Sequence, residues 1–245
     1  MKNTRFIKSL KNFSLSVLDW VFPPACLGCG QEGVFICSRC FLDVNLIPAN
    51  VCNTCGNFTS KKGFCPHCAR YSVSYSGFRA FAYYDGVIRK AIQQLKYHND
   101  PGIGRYLADF LLTTYQRTSW DADLIVPIPI GETKREQRGY NQSERLAEPL
   151  AEKLGLEYKP EALIRIHERS SQVGLSLEER RTNIRDAFRA RSKHIIGKNV
   201  LLVDDVFTSG ATMEAASAEI IQAGANKVWC LTVAKVNHDQ QTGMP

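Results

Sequence analysis

Residues 199–212 read NVLLVDDVFTSGAT. The apolar run Val200–Val203 reads as a buried parallel strand, which is hydrophobic on both faces. Asp204 and Asp205 follow it. Thr208, Ser209, Gly210, Ala211 and Thr212 then lead into a helical pattern that begins near Thr212. In an open parallel sheet, ligands bind beyond the carboxyl ends of the strands. The two acids would therefore share a crevice with the free N–H groups of a helix start, which suit a phosphate. Gly210 lets the backbone come close, and the hydroxyls add donors. Paired carboxylates beside a phosphate cradle accept hydrogen bonds from two vicinal hydroxyls, so the ligand reads as a ribose 5-phosphate.

The segments around this stretch supply the sheet. FRAFAYY (78–84), DLIVPIPI (123–130), NVLLVDDV (199–206) and KVWCLTVAKV (227–236) read as strands. GVIRKAIQQLKY, GRYLADFLLTTYQ, NQSERLAEPLAEKLG and TMEAASAEIIQAG read as helices between them. Strands alternating with helices predict an α/β fold with a parallel sheet covered on both faces. Two familiar nucleotide motifs are absent, Gly-x-x-x-x-Gly-Lys-Ser/Thr and Gly-x-Gly-x-x-Gly after a strand. A phospho-acceptor site would account for paired acids but not for the Thr-Ser-Gly-Ala-Thr cradle. The bland alternative is a capped helix beside two solvated acids.

Eight of the 9 cysteines fall in four Cys-x-x-Cys pairs: Cys26/Cys29, Cys37/Cys40, Cys52/Cys55 and Cys65/Cys68. Two such pairs complete a tetrahedral zinc site of four thiolates, so two structural zinc ions per chain are expected. With every position filled by sulfur, neither ion has a place for substrate. Sequential pairing is expected, although a cross-braced arrangement fits the same spacing. An iron–sulfur cluster is a lesser alternative, and disulfides do not suit a cytosolic chain. Gly28, Gly30 and Gly56 sit at the turns. Cys230 falls in an apolar strand and is expected to be a buried core residue.

The 245 residues are 44% hydrophobic and 22% charged, as in globular proteins. No apolar run reaches the roughly 18 residues that cross a bilayer. The basic N-terminus lacks the pattern of a signal peptide, so a cytoplasmic location is expected. Residues 1–22 predict an amphipathic helix with Phe6, Leu10, Phe13, Val17 and Trp20 on one face. That stripe is expected to pack on the protein itself rather than on a membrane. The net charge is +7, and residues 161–198 hold nine Lys/Arg against five Asp/Glu. Anionic partners follow from that imbalance, and a solvated basic face is the plain alternative.

VLLVDDVFTSGAT resembles the phosphoribosyl pyrophosphate motif of type I phosphoribosyltransferases. LIVPIPI, RGYNQSERLAEPLA and QVGLSLEERRTNIRDAF, with an N-terminal CLGCG, resemble the ComF family of bacterial competence proteins. The resemblance runs from Phe22 onward. It implies a parallel-sheet, type I phosphoribosyltransferase-like domain over 78–236, preceded by a small cysteine-rich double zinc ribbon over 23–70. It also implies a role in natural transformation, in which single-stranded DNA and a competence helicase are partners. Phosphoribosyl pyrophosphate would arrive with Mg²⁺. Asp204 and Asp205 would hold the ribose hydroxyls, and Thr208–Thr212 the 5-phosphate. Pro127 and Ile128 match the loop that meets pyrophosphate, with Lys134, Arg135 and Arg138 in a basic loop at the crevice mouth. Asn141 is read as a helix cap. Gln172, Gly174, Arg180 and Arg181 fall where such transferases carry a mobile hood, or else form a surface loop beside a solvated helix. The family's acceptor is undefined, so a non-catalytic sensor that contacts DNA and a helicase stands beside the transferase reading, as does a nucleotide-responsive regulator that binds RNA.

Overall fold

The β-branched runs pair into one parallel sheet. The strands are β1 (Gly77–Tyr83), β2 (Leu124–Pro127), β3 (Glu157–Tyr158), β4 (Leu163–Arg165), β5 (Phe188–Ala190), β6 (Asn199–Phe207) and β7 (Lys227–Lys235). The main sheet has the order β1-β7-β6-β2-β3, and β4 pairs with β5 in a separate antiparallel ribbon. The computed structural model describes residues 23–59, 63–66, 68–70, 72–98, 100–166 and 187–237. The expected helix over 1–22 and the hood residues Gln172, Gly174, Arg180 and Arg181 lie outside these; β4 and β5 pair the two flanks of the hood segment.

The helices are α1 (Ser38–Leu42), α2 (Gly86–Tyr97), α3 (Pro101–Gln116), α4 (Glu132–Arg138), α5 (Gln142–Leu154) and α6 (Ala211–Gln222). Alternate side chains of each strand enter opposite layers. Leu201 and Val203 face α2, α3 and α5, whereas Val200 and Leu202 face α6. All four are fully buried, as their unbroken apolar run requires. Cys230 is buried in the second layer, as expected. Asp100 caps α3, and Gly155 in the left-handed region ends α5. Pro149 inside α5 takes away the N–H that would reach the Arg145 carbonyl. At that oxygen α3 packs so close that a Cβ on Gly104 would lie 2.7 Å from it.

The cysteine-rich segment lies along the outer edge of β1. Ile47 donates to the Phe81 carbonyl, Tyr83 to that of Asn45 and Phe78 to that of Asn53. Its aromatic residues complete the core of the larger unit: Phe35 packs on Tyr106, and Phe41 on Phe81 and Phe110. A module with few aliphatic residues of its own thus shares a core with α3.

Candidate active site and metal centres

The order of the sheet fixes the crevice. The crossover from β6 through α6 runs outward to β7, while that from β2 through α5 runs the opposite way to β3. The switch point therefore lies between β2 and β6, beyond their carboxyl ends. Pro127 pairs with Val203, and Ile128 N–H donates to the Val203 carbonyl, which sets the Pro127–Ile128 loop beside Asp204.

β6 does not stop at the acids. Val206 and Phe207, both good strand formers, continue it past Asp204 and Asp205. The cradle residues then turn into α6, with Gly210 at the cap in the left-handed region at φ 80°. Asp204, Phe207, Thr208, Gly210, Thr212 and Met213 line one depression. The structure thus brings Asp204 and the cradle together.

The two acids differ in surroundings. Asp204 is partly exposed; Ser143 Oγ donates to its Oδ1 at 2.7 Å, and the Asp205 N–H at 2.9 Å. Burial of its carboxyl and the neighbouring Asp205 push its pKa up to about 8. Asp205 is 3% exposed, with Lys96 Nζ 2.5 Å from Oδ2 and Gln142 Nε2 donating to Oδ1 at 3.3 Å. Burial works against the Lys96 charge, but Asp205 and then Asp204 outweigh it, and the Lys96 pKa is raised. The expectation that both acids share the crevice is corrected here: neighbouring strand residues point to opposite faces, so Asp204 opens to the depression while Asp205 turns into the layer of α2 and α5, where Lys96 and Gln142 meet it.

The expected basic loop is a seven-residue helix, α4, closed by Gly139 in the left-handed region. Arg138 lies over the Tyr97 ring and donates to Gln142 Oε1 at 2.7 Å. A chain of contacts therefore runs from Arg138 through Gln142 to Asp205. Arg135 pairs instead with Glu144 at 3.4 Å, and Lys134 is exposed. Asn141 caps α5 as expected, accepting from Ser143 N–H, and its amide also donates to the Ile128 carbonyl. One buried side chain thereby ties the Pro127–Ile128 loop to the helix whose first residues hold the acids. Gln142, Ser143 and Lys96 were not singled out by sequence. Gln142 and Ser143 looked like ordinary first-turn residues, and no local signal ties Lys96 to β6.

The cysteines form two sequential clusters, Cys26/Cys29/Cys37/Cys40 and Cys52/Cys55/Cys65/Cys68, each with its sulfur atoms within 4.8 Å of one another. Cys29 and Cys37 sulfurs are 3.6 Å apart, and those of Cys55 and Cys65 3.8 Å. Tetrahedral zinc with bonds of about 2.3 Å separates its sulfurs by about 3.8 Å, so both clusters fit the ion. Backbone N–H groups aim at sulfur, as from Cys37 to Cys26 and from Cys68 to Cys65. Gly28 is needed because a Cβ there would lie 2.5 Å from Cys40 Sγ. Among the described residues, no helix is long and apolar enough to cross a membrane.

A family profile described as a double zinc ribbon domain matches residues 17–69, and one described as a phosphoribosyl transferase domain matches residues 141–242. The chain is 29% identical over 218 residues to DNA utilization protein YhgH of Escherichia coli (strain K12), covering 80% of this chain and 96% of that protein. It is 29% identical over 209 residues to Competence protein F of Haemophilus influenzae, covering 81% and 90%. Among solved structures, the glutamine phosphoribosylpyrophosphate amidotransferase of B. subtilis aligns with a TM-score of 0.41 and 21% identity, over 57% of this chain and 30% of that longer one. The profiles and the parallel sheet agree on a phosphoribosyltransferase-like α/β domain behind a cysteine-rich ribbon.

Proposed function

We propose, on the premise that this chain belongs to the ComF family, that it binds phosphoribosyl pyrophosphate beyond β2 and β6 and transfers its ribosyl phosphate to an acceptor. The transfer would serve the handling of incoming single-stranded DNA in natural transformation, the role to which the names of its relatives point. One observation carries the reading: Asp204 borders the same depression as Thr208, Gly210 and Thr212 of the cradle, beyond the carboxyl end of β6.

The chemistry asks the protein mainly for position and charge. The 5-phosphate sits on the N–H groups at the start of α6. Asp204 accepts from the ribose hydroxyls, and Asp205, paired with Lys96 and held by Gln142, fixes the floor behind it. The bond from C1 to pyrophosphate breaks with its electron pair leaving on the pyrophosphate oxygen, and the acceptor's lone pair forms the new bond to C1. Backbone of the Pro127–Ile128 loop faces the departing group, with Arg138 the nearby cation of α4. Asp204 is the carboxyl that would face Mg²⁺ arriving with the ligand, and the ion would supply further neutralisation of pyrophosphate. Two zinc ions held by the cysteine clusters are structural, and a helicase is the protein partner this role implies.

The test is a melting curve with phosphoribosyl pyrophosphate and Mg²⁺, followed by pyrophosphate release against bases, amines and oligonucleotides. A ligand-dependent rise that Asp204→Asn abolishes, with release for one acceptor class, is expected. No rise would overturn the binding site. A rise without release from any acceptor would assign the crevice to sensing.

A further inference from the structure

A second and larger cavity lies at the other end of the sheet. It occupies about 510 Å³ between residues 47–53 of the ribbon, the start of β1 and the end of α3. Its wall includes Arg79, Arg117, Thr118, Trp120 and Trp229, and none of its lining residues is acidic. Gly77 and Trp229 are paired at the amino-terminal ends of β1 and β7, whereas Asp204 pairs with Thr232 further along the same sheet. The cavity is therefore separate from the Asp204 crevice.

Charge and shape both narrow the occupant. Arg79 is partly buried, with one nitrogen donating to the Phe78 carbonyl at 2.7 Å and another to Asn53 Oδ1 at 2.9 Å. Those bonds use two of the five guanidinium donors and no carboxylate, although a partly buried cation calls for an oxyanion. Arg79 by itself could be a strut between β1 and the ribbon. Arg117 is the second, independent cation: it is exposed, lines the same cavity, and among the described residues bonds through its backbone N–H alone. Asp121, which accepts from Trp229 Nε1 at 3.3 Å, does not line the cavity and is paired with Lys227, so neither arginine has a carboxylate among the described lining residues, and guanidinium geometry favours phosphate.

One side of the wall is aromatic. Trp120 and Trp229 stack with centroids 5.1 Å apart and planes 11° from parallel, and both are only partly buried. Gly77 keeps this wall in place, since a Cβ there would lie 3.2 Å from Trp229 and 3.5 Å from Trp120. The volume falls in the range of about 300–1,000 Å³ usual for small-molecule sites. We propose that this cavity binds a nucleotide unit, its phosphate toward Arg79 and Arg117 and its base against the Trp120–Trp229 wall. The proposal is independent of the reading of the Asp204 crevice. Free mononucleotides and the units of a single strand present the same chemistry here.

The chain has 3 tryptophans, so Trp20→Phe leaves only the two that line the cavity as reporters. Fluorescence of the full-length, zinc-loaded Trp20→Phe protein is titrated with AMP, dTMP, the corresponding nucleosides, and a thymidine oligonucleotide. Saturable quenching by the monophosphates is expected, about tenfold weaker with nucleosides and about tenfold weaker in Arg117→Gln, since each change removes a charge-assisted contact. Among the described residues the exposed Arg117 side chain makes no hydrogen bond or ion pair, so the variant is expected to fold as the parent does, which its melting temperature checks. Saturating phosphoribosyl pyrophosphate with Mg²⁺ should leave the quenching intact. Affinity rising with oligonucleotide length assigns the site to a strand, and equal affinity assigns it to free nucleotides; either supports the site. Absence of saturable quenching by every probe, quenching unchanged in Arg117→Gln, or displacement by phosphoribosyl pyrophosphate would overturn it.

Discussion

Phe78 of β1 and Phe207 of β6 stack with ring centroids 4.0 Å apart. Each ring also presses on a glycine. A Cβ on Gly56, in the turn after Cys55, would lie 2.7 Å from the Phe78 ring, and one on Gly210 would lie 2.6 Å from the Phe207 ring. The two rings thus form a packed column from the second cysteine cluster to the cradle ahead of α6. Phe81 is the natural control, being similarly buried but stacked on Phe110 in the other layer. Phe78→Leu and Phe81→Leu should each cost about 1–3 kcal/mol of stability. Only Phe78→Leu should also shrink the thermal response to phosphoribosyl pyrophosphate. Equal responses in the two variants would show that the column does not support the cradle.

A contrast between two glycines separates strain from collision. Gly139 and Gly210 have nearly equal backbone angles, φ 76° and 80°. A Cβ on Gly139 meets nothing within 4 Å, whereas on Gly210 it meets Phe207. Gly139→Ala should therefore cost only the left-handed penalty, about 1–2 kcal/mol. Gly210→Ala should cost more and should also weaken ligand binding. Urea denaturation of both variants measures the difference, and indistinguishable losses would remove the proposed contact between Phe207 and the cradle.

The zinc expectation is quantitative as well. Native mass spectrometry should find two zinc ions per chain, and Cys26→Ser or Cys65→Ser should each leave one. Loss of the first ion should loosen Phe35 and Phe41 from Tyr106 and Phe110, and loss of the second should release Tyr75, whose hydroxyl donates to the Thr54 carbonyl. Limited proteolysis should then cut near residues 27–45 in the first variant and 53–64 in the second. Cleavage at the same sites in both would mean that the clusters do not fold separately.

Much of this architecture could be read locally. Most strand and helix segments recur within a residue or two, because long apolar runs and regular amphipathic patterns carry their own period, but β2 stops at Pro127, three residues short of the Ile130 expected. The exceptions have physical causes. α3 begins at Pro101, ahead of its apolar pattern, because proline in the first turn loses no helical hydrogen bond. The polar α4 has no buried face to give it a period. β3, β4 and β5 are two or three residues long and owe their state to their partners. At the site, the acids and the cradle were legible because they are contiguous. Lys96, Gln142 and Ser143 reach them from other elements, Gln142 being 63 residues from Asp205, and only the folded sheet puts them together.

The unequal acids should respond unequally to loss of charge. Asp205→Asn leaves Lys96, whose side chain is 21% exposed, without its counter-ion and should destabilise by about 2–4 kcal/mol. Asp204→Asn replaces a carboxyl that the folded chain holds mostly protonated at neutral pH and should leave the melting temperature unchanged or raised. Combining Asp205→Asn with Lys96→Met should recover much of the loss, because the stranded charge is gone. Failure of that rescue would show that the Lys96 contact is not what holds Asp205.

The same inequality sets the sign of a pH dependence. Asp204 is raised from 3.8 to about 8 by burial and by Asp205, so between those values the folded chain holds a proton that the unfolded chain releases. Stability from this group is fully present below pH 3.8 and is lost as pH rises through about 8. Asparagine cannot titrate, so the difference between the parent and Asp204→Asn reports Asp204 together with the groups coupled to it, Asp205 and Lys96, and cancels the rest. Measured by urea midpoint from about pH 5 to 9, the parent should lose ground steadily to the variant and level off only above the raised pKa. A difference that stays flat would mean Asp204 is ionised throughout, with Ser143 and the Asp205 N–H already compensating its charge.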